Sequence, residues 1–332
     1  MFDVSIDHLK ACLVAKSYTQ FPDLDYTDTF SLVVKASIVR VVLSLSVTNK
    51  WSLHQLDVKN AFLNDILHEK VYMEQPPSYV DPRFSHHVCK LNKALYGLKQ
   101  APRAWFEQFN TFLLHFGFSY SRADTSLFVY SSNHDLIYLL LYVDDISITG
   151  NNSSLLHIFI KKLHSKFATK DLGSLSYFLD LEVTPSNDGL FLSQTKYARD
   201  ILSRAQLLDS KPIDTPMVVS HHMSLEGEPF SDPTLSIACG CSAIFNHHET
   251  KHSHTVNSVS QFLHAPTAAH FQVVKRILRY VKGTIDFGLA FTPSSSSGLM
   301  AFLDADWAGC LDIHRSTSDY SILGDNLVSW SA

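Results

Sequence analysis

The sequence predicts an α+β fold. Short apolar strands and amphipathic helices follow one another without a βαβ rhythm, which argues against a doubly wound sheet. Hydrophobic residues make up 45% of the 332 residues and charged residues 18%, a globular composition with length for about two domains. The longest apolar run, Leu136–Val143, falls far short of the roughly 20 residues a membrane span needs. Met1-Phe2-Asp3-Val4 has neither the basic nor the apolar region of a secretory signal. Cys12, Cys89, Cys239, Cys241 and Cys310 are odd in number and lack C-x-x-C spacing. That pattern excludes a disulfide scaffold and a zinc ribbon, and fits a reducing compartment. A net charge of -5 gives no compositional support to a nucleic-acid binder, so any such reading must rest on local features.

Taken in order, the elements are these. Ala36 to Val47 suits a buried helix, with Ile38, Val39, Val42 and Leu45 at helical spacing. Trp51 to Val58 reads as a strand with Asp57 at its end. Lys93 to Phe116 reads as a helix entered through Pro102, its stripe formed by Trp105, Phe109, Phe112, Leu113 and Phe116. Ser126–Tyr130 and Asp135–Val143 read as strands joined by Ser131-Ser132-Asn133-His134, and a second turn at Asp144-Asp145 leads into Ile146–Thr149. Asn152 or Ser153 can cap a helix over Leu155–Phe167. Pro212 and Pro216 introduce a polar stretch from about 218 to 254, a helix follows over Ala268–Lys282, and a Ser-rich linker ends at Gly298. A last apolar strand opens the segment from Leu299 to Ala332.

The most unusual feature is Tyr142-Val143-Asp144-Asp145-Ile146. Two adjacent carboxylates end an apolar strand, where burying unpaired charge costs several kcal/mol. A turn relieves that cost by aiming both side chains out of the sheet edge. With a third carboxylate, for which Asp57 is the candidate, the cluster can hold two Mg²⁺ ions for in-line nucleotidyl transfer. An ordinary solvated hairpin turn also favours Asp-Asp, so the dipeptide by itself leaves both readings open.

Several ordered motifs add a resemblance. Gln55-Leu56-Asp57-Val58-Lys59-Asn60-Ala61-Phe62-Leu63, Leu95-Tyr96-Gly97-Leu98-Lys99-Gln100-Ala101-Pro102-Arg103-Ala104-Trp105 and Tyr142-Val143-Asp144-Asp145 resemble three palm motifs of copia-type retrotransposon reverse transcriptases. Leu13-Val14-Ala15-Lys16, Val71–Pro77, Ala123–Phe128, Lys170–Gly173 and Gln194–Ala198 are similar to further motifs of that group, in its order, across about residues 8 to 217. The resemblance implies a right-hand polymerase. Residues 1–217 would be fingers, lacking their first part, and palm. Residues 218–298 would be the thumb or connection, and 299–332 the truncated start of a ribonuclease H-like α/β segment. It implies that Asp57 and Asp144 hold both metals, with the Val58 carbonyl as a further ligand and Asp145 as a supporting carboxylate. Phe62 would be the aromatic gate against a ribose 2′-hydroxyl, though it also suits a core position. Tyr96, Gly97 and Lys99 would line the nucleotide and template face, while Pro102 and Trp105 read as packing. Lys170 stands where a proton donor to pyrophosphate would be, and also suits a solvated lysine before a helix end.

Downstream, Lys275, Arg276, Arg279 and Lys282 form a basic stripe on a helix whose Val274, Ile277, Leu278 and Val281 face inward. The stripe suits a phosphate backbone or a plain solvated face. Asp304-Ala305-Asp306-Trp307, with Arg315-Ser316-Thr317-Ser318, resembles the opening of ribonuclease H, with Asp304 as its first metal carboxylate. One carboxylate does not hold two metals, so no ribonuclease H activity is expected.

Some positions depart from the family: Cys12 for Arg, Ser17 for Gly, Leu32 for Pro and Asp180 for Gly, the last adding a side chain and a charge if that Gly sits at a tight strand position. With the missing fingers and the altered connection, Cys12 and Asp180 argue for reduced or absent turnover. The largest departure is residues 236–254, with His247, His248, Glu249, His252 and His254 beside Cys239 and Cys241. Their spacing fits no known zinc pattern. Codons for Ile244 to Ser253 can be chosen that, read one base later, give a family-like Tyr-Leu-Thr-Ile-Thr-Arg-Pro-Asn-Ile, so out-of-frame translation and local disorder are expected there. The implied function is RNA-directed DNA polymerisation with Mg²⁺, for which Mn²⁺ can substitute. The implied partners are an RNA template, a DNA primer, dNTPs and other segments of the polyprotein. The implied location is intracellular, in a cytoplasmic virus-like particle or the nucleus, and not in a membrane. The alternatives are an inactive remnant that at most binds nucleic acid, and a metal-dependent nuclease.

Overall fold

The computed structural model describes residues 13–26, 29, 34–64, 67, 69–122, 124–217, 228, 250–262, 264–293, 298–305, 318–323 and 326–331. By contacts the chain divides into two units, Met1–Val34 with Leu56–Ile148 and Asn152–Leu172, and Lys35–Gln55 with Thr149–Asn151 and Gly173–Ala332. The α+β class expected from the sequence is what the chain forms.

Short apolar strands, several of them buried over consecutive residues, build the sheet on which the first unit rests. In chain order the elements are α1 (Ala36–Asn49), β1 (Leu53–Val58), β2 (Tyr72–Glu74), β3 (Val88–Lys90), α2 (Ala101–Phe116), β4 (Phe118–Tyr120), β5 (Leu127–Ser132), β6 (Asp135–Tyr142), β7 (Asp145–Gly150), α3 (Ser153–Lys166) and β8 (Thr169–Ser174). The sheet runs β4-β5-β6-β7-β1-β8, so β7 and β1 are interior neighbours although far apart in sequence. β5 and β6 pair antiparallel from Leu127↔Leu140 to Ser132↔Asp135. Their turn, Asn133-His134, has φ 49° and 72°, the left-handed pair that a two-residue hairpin loop requires. Asp124 launches β5, its carboxylate accepting from the Ser126 amide at 2.9 Å and the Ser126 hydroxyl at 2.5 Å.

Against one sheet face lie α2 and α3. Trp105, Phe109 and Leu113 of α2 and Leu156, Phe159 and Leu163 of α3 are buried with Phe128, Ile137, Leu139, Ile146 and Ile148. Asn152 caps α3, its side-chain oxygen accepting from the Leu155 amide at 3.1 Å. The sequence reading placed the start of α2 at Lys93, but it begins at Ala101. Gly97 breaks the helical path with φ 90°, and Tyr96 is engaged elsewhere: its carbonyl accepts from the Ala15 amide at 2.7 Å.

The second unit holds α1 and a sheet ordered β12-β11-β10-β9, from β9 (Tyr177–Phe178), β10 (Leu181–Ser186), β11 (Gly189–Ser193) and β12 (Leu289–Phe291). It also holds α4 (Thr195–Arg204), α5 (Thr250–Ser260), α6 (Ala268–Gly283) and a sheet β13-β14-β15 from Met300–Ala305, Ser318–Leu323 and Leu327–Ser331. Helices α4, α5 and α6 share a core that includes Ile201, Leu202, Val256, Val259, Val274, Ile277, Leu278 and Val281. The buried side of α1 is Val39, Arg40, Val42, Leu43, Ser46 and Val47, turned from the expected stripe so that Ile38 and Leu45 are only half-buried. Arg40 explains the turn: its guanidinium lies 3.7 Å above the Trp330 ring and donates to the Val328 carbonyl at 3.1 Å.

Asp180 does not stand inside a strand. With Leu179 it forms the loop between β9 and β10, at φ 52° and 60°. Asp tolerates that region better than most residues, and its carboxylate accepts a hydrogen bond from Tyr177 Oη at 2.8 Å. Lys170 lies exposed in β8 and not before a helix end. Of the segment expected to be disordered, 236–249 lies outside the described residues, whereas Thr250–His254 form the first turns of α5. Cys12 and Leu32 also lie outside the described residues. Among the described residues no helix is long and apolar enough to cross a membrane.

Candidate active site

Asp57 is the penultimate residue of β1, half-buried, and the next residue, Val58, is buried. The β6–β7 hairpin ends beside it. Its two-residue loop is Val143-Asp144, one residue earlier than the Asp144-Asp145 turn read from sequence, so Asp145 is the first residue of β7. The Val58 amide donates to the Asp144 carbonyl at 2.9 Å, which ties the end of β1 to that loop. The carboxylates therefore leave the sheet at the ends of interior strands and not, as the sequence suggested, at a sheet edge.

Burial and neighbouring charge act on Asp144 and Asp145. Burial first, then the neighbouring charge of Asp57, raises the Asp144 pKa above the usual carboxylate range, against a lowering backbone hydrogen bond. The Asp145 pKa is pushed up to about 6 by burial, then by Asp144, then by Asp57. Among the described residues no three His, Cys, Asp or Glu side chains stand in a ready-made metal cage. The donor set nonetheless fits magnesium: half-buried carboxylate oxygens brought to one end of the sheet. Mg²⁺ commonly takes one or two carboxylates and completes its octahedron with water and substrate phosphate oxygens.

The other expected site residues fall into two groups. Phe62, in a short 3-10 turn (Ala61–Asn64), is buried and meets the Tyr96 ring edge-on, centroids 4.8 Å apart. Gly97 serves the chain itself, because a Cβ there would lie 2.2 Å from the Ala15 carbonyl oxygen. Lys99 Nζ donates to Tyr26 Oη at 3.1 Å and the Lys99 amide to Gln20 Oε1 at 2.9 Å, fastening residues 20–26 to this motif. Farther along, three of the four basic residues of α6 reach protein groups. Arg276 donates to Thr215 Oγ1 at 2.7 Å, Arg279 to the Lys211 carbonyl at 2.7 Å and Lys282 to the Ser210 carbonyl at 2.5 Å. Lys275 Nζ lies 4.4 Å from the Phe271 ring centre. Asp304 stands on β13 opposite Asp319 of β14.

Sequence reasoning missed one contributor. Trp105, read there as packing, is 1% exposed and donates its indole N–H to the Val143 carbonyl at 2.6 Å. Only a Trp on the α2 stripe could have signalled it, since a buried indole N–H needs an acceptor.

Residues 3–219 match the family described as reverse transcriptase (RNA-dependent DNA polymerase), and the chain belongs to that family. Over 99% of its length it is 45% identical to the retrovirus-related Pol polyprotein from transposon RE1 of Arabidopsis thaliana, covering 23% of that protein. It is 44% identical to the corresponding protein from transposon RE2 of the same plant, again over 99% of the chain and 23% of the relative. The Pol polyprotein from transposon TNT 1-94 of Nicotiana tabacum is 34% identical over 99% of the chain and 26% of that relative. These relatives place it among the copia-type Pol polyproteins, of whose curated members it spans about a quarter.

Proposed function

We propose that this chain is the polymerase portion of a copia-type Pol polyprotein and adds deoxynucleotides to a DNA primer on an RNA template. The observation that carries the reading is the meeting of the end of β1 with the Val143-Asp144 loop, where burial and then the charge of Asp57 raise the proton affinity of Asp144, and burial, Asp144 and Asp57 raise that of Asp145. Mg²⁺ bound there would supply charge neutralisation for the primer 3′-hydroxyl and the pyrophosphate leaving group. Asp57 and Asp144 would hold it, with the Val58 carbonyl and Asp145 in support. Phe62, fixed edge-on against Tyr96, would close the space that a ribose 2′-hydroxyl needs. The sheet carrying β1, β6 and β7 would be the palm. On α6, Lys275 and the donors of Arg276, Arg279 and Lys282 not used on residues 210–215 would meet the nucleic-acid backbone. Asp180, accommodated in a loop that Asp can adopt, does not weigh against activity.

The test is primer extension on poly(rA)–oligo(dT) with Mg²⁺ or Mn²⁺, with an Asp144→Asn, Asp145→Asn double variant alongside. Extension that the double variant lacks supports the reading. Folded protein that binds the hybrid but never extends it would make the chain an inert remnant.

A further inference from the structure

We propose that Trp105 is a positioning residue for the Asp144–Asp145 pair, holding the loop that presents them through its hydrogen bond to the Val143 carbonyl. The kinetic consequence rests on the polymerase reading; the structural part can be measured without turnover.

Val143 has φ 55°, a region that β-branched residues rarely occupy. The neighbouring hairpin meets the same requirement with Asn133 and His134, and Asn at least is suited to it. Val143 has no such aptitude, so something outside the loop must hold it. Two donors from elsewhere in the unit grip successive loop carbonyls: Trp105 Nε1 on Val143 at 2.6 Å, and the Val58 amide on Asp144 at 2.9 Å. Trp105 is itself immobilised. Its ring packs against Phe109 at 5.2 Å and edge-on against Phe167 at 5.3 Å. Being 1% exposed, the indole N–H has little access to water as an alternative partner, and leaving it unmade would be costly. Phe could fill much of the volume, yet it offers no donor at the ring edge. Without the bond, the Val143–Asp144 peptide is free to turn toward a relaxed backbone. Asp144 lies within that loop and Asp145 directly follows it, so both carboxylates would move.

The experiment replaces Trp105 with 3-benzothienylalanine, which keeps the ring shape and removes the N–H, and makes Trp105→Phe as a second variant. In metal-free protein, amide exchange of residues 142–146 should quicken by about ten-fold while residues 101–116 stay protected. Binding of Mn²⁺ alone should weaken several-fold. In extension assays kcat should fall by about ten-fold with KM for dNTP changed less than about two-fold. Placed in a Val143→Gly background, which relieves the backbone strain, the analogue should have a smaller effect on exchange. Unchanged exchange at 142–146 overturns the proposal. So does loosening of α2 to the same degree, since Trp105 would then be core packing only. If the wild type never extends a primer while the exchange difference is present, the polymerase reading fails and the positioning role stands.

Discussion

Replacing Asp145 by Asn should stabilise the protein at neutral pH and do nothing for it in acid. The Asp145 carboxyl is half-buried at the start of β7, and burial, Asp144 and Asp57 push its pKa from the ordinary 3.8 to about 6. Below pH 3.8 the carboxyl is protonated whether the chain is folded or not, so the native state carries no penalty. Between there and about 6 the unfolded chain ionises while the native one keeps its proton, and stability falls. Above about 6 the full cost is present. At 1.36 kcal/mol per pH unit that cost has an upper bound of about 3 kcal/mol. Solvent screening of a half-exposed group reduces it to about 1 kcal/mol. Urea unfolding of wild type and Asp145→Asn in EDTA, at pH 7.5 and pH 4, measures the difference directly. The variant should be more stable by about 1 kcal/mol at pH 7.5 and nearly equal at pH 4. Added Mg²⁺ should stabilise the wild type more than the variant at pH 7.5. A difference independent of pH, or a variant less stable at pH 7.5, would refute the reading that burial and the neighbouring carboxylates hold the Asp145 carboxyl toward its protonated form.

Other consequences are equally specific. Gly97→Ala should cost at least about 2 kcal/mol in urea unfolding, because the Cβ would lie 2.2 Å from the Ala15 carbonyl oxygen at φ 90°; a neutral effect would mean residues 14–15 do not pack there. Asp180→Ala should cost about 1 kcal/mol, losing the Tyr177 bond while keeping a positive φ. Spectrophotometric titration should show the Tyr177 pKa, held at about 12 by burial and then by Asp180, returning toward the usual tyrosine range in Asp180→Asn. Phe62→Val should raise ribonucleotide incorporation relative to deoxynucleotide by at least about ten-fold in extension assays, and unchanged selectivity would leave Phe62 a core residue.

Local pattern was enough wherever one element decided its own structure. The strand that carries Asp57 near its end, the 3.6-residue stripe of Trp105, Phe109 and Leu113, and the Asn152 cap all appear where the sequence places them. The misreadings arise where a distant partner decides. Residues 93–100 are compatible with helix, but the Ala15 amide binds the Tyr96 carbonyl and Gly97 turns the chain away. An arginine at an apparently solvated position of α1 is buried because Trp330, far along the chain, covers it. The basic stripe of α6 is visible as charge, but its bonds to residues 210–215 depend on a fold that charge pattern does not encode. The candidate site divides the same way. Its carboxylates stand out as charge ending an apolar strand, whereas the Trp105 bond to Val143 joins two motifs whose spacing gives no hint that they touch.

The central claim is that Asp57, Asp144 and Asp145 form a working nucleotidyl-transfer site. Extension of oligo(dT) on poly(rA) with Mg²⁺ or Mn²⁺, run beside the Asp144→Asn, Asp145→Asn double variant, tests it most directly. Extension by the wild type and none by the variant is the expected result. Soluble, folded wild-type protein that fails to extend, or extension that survives in the double variant, would contradict it.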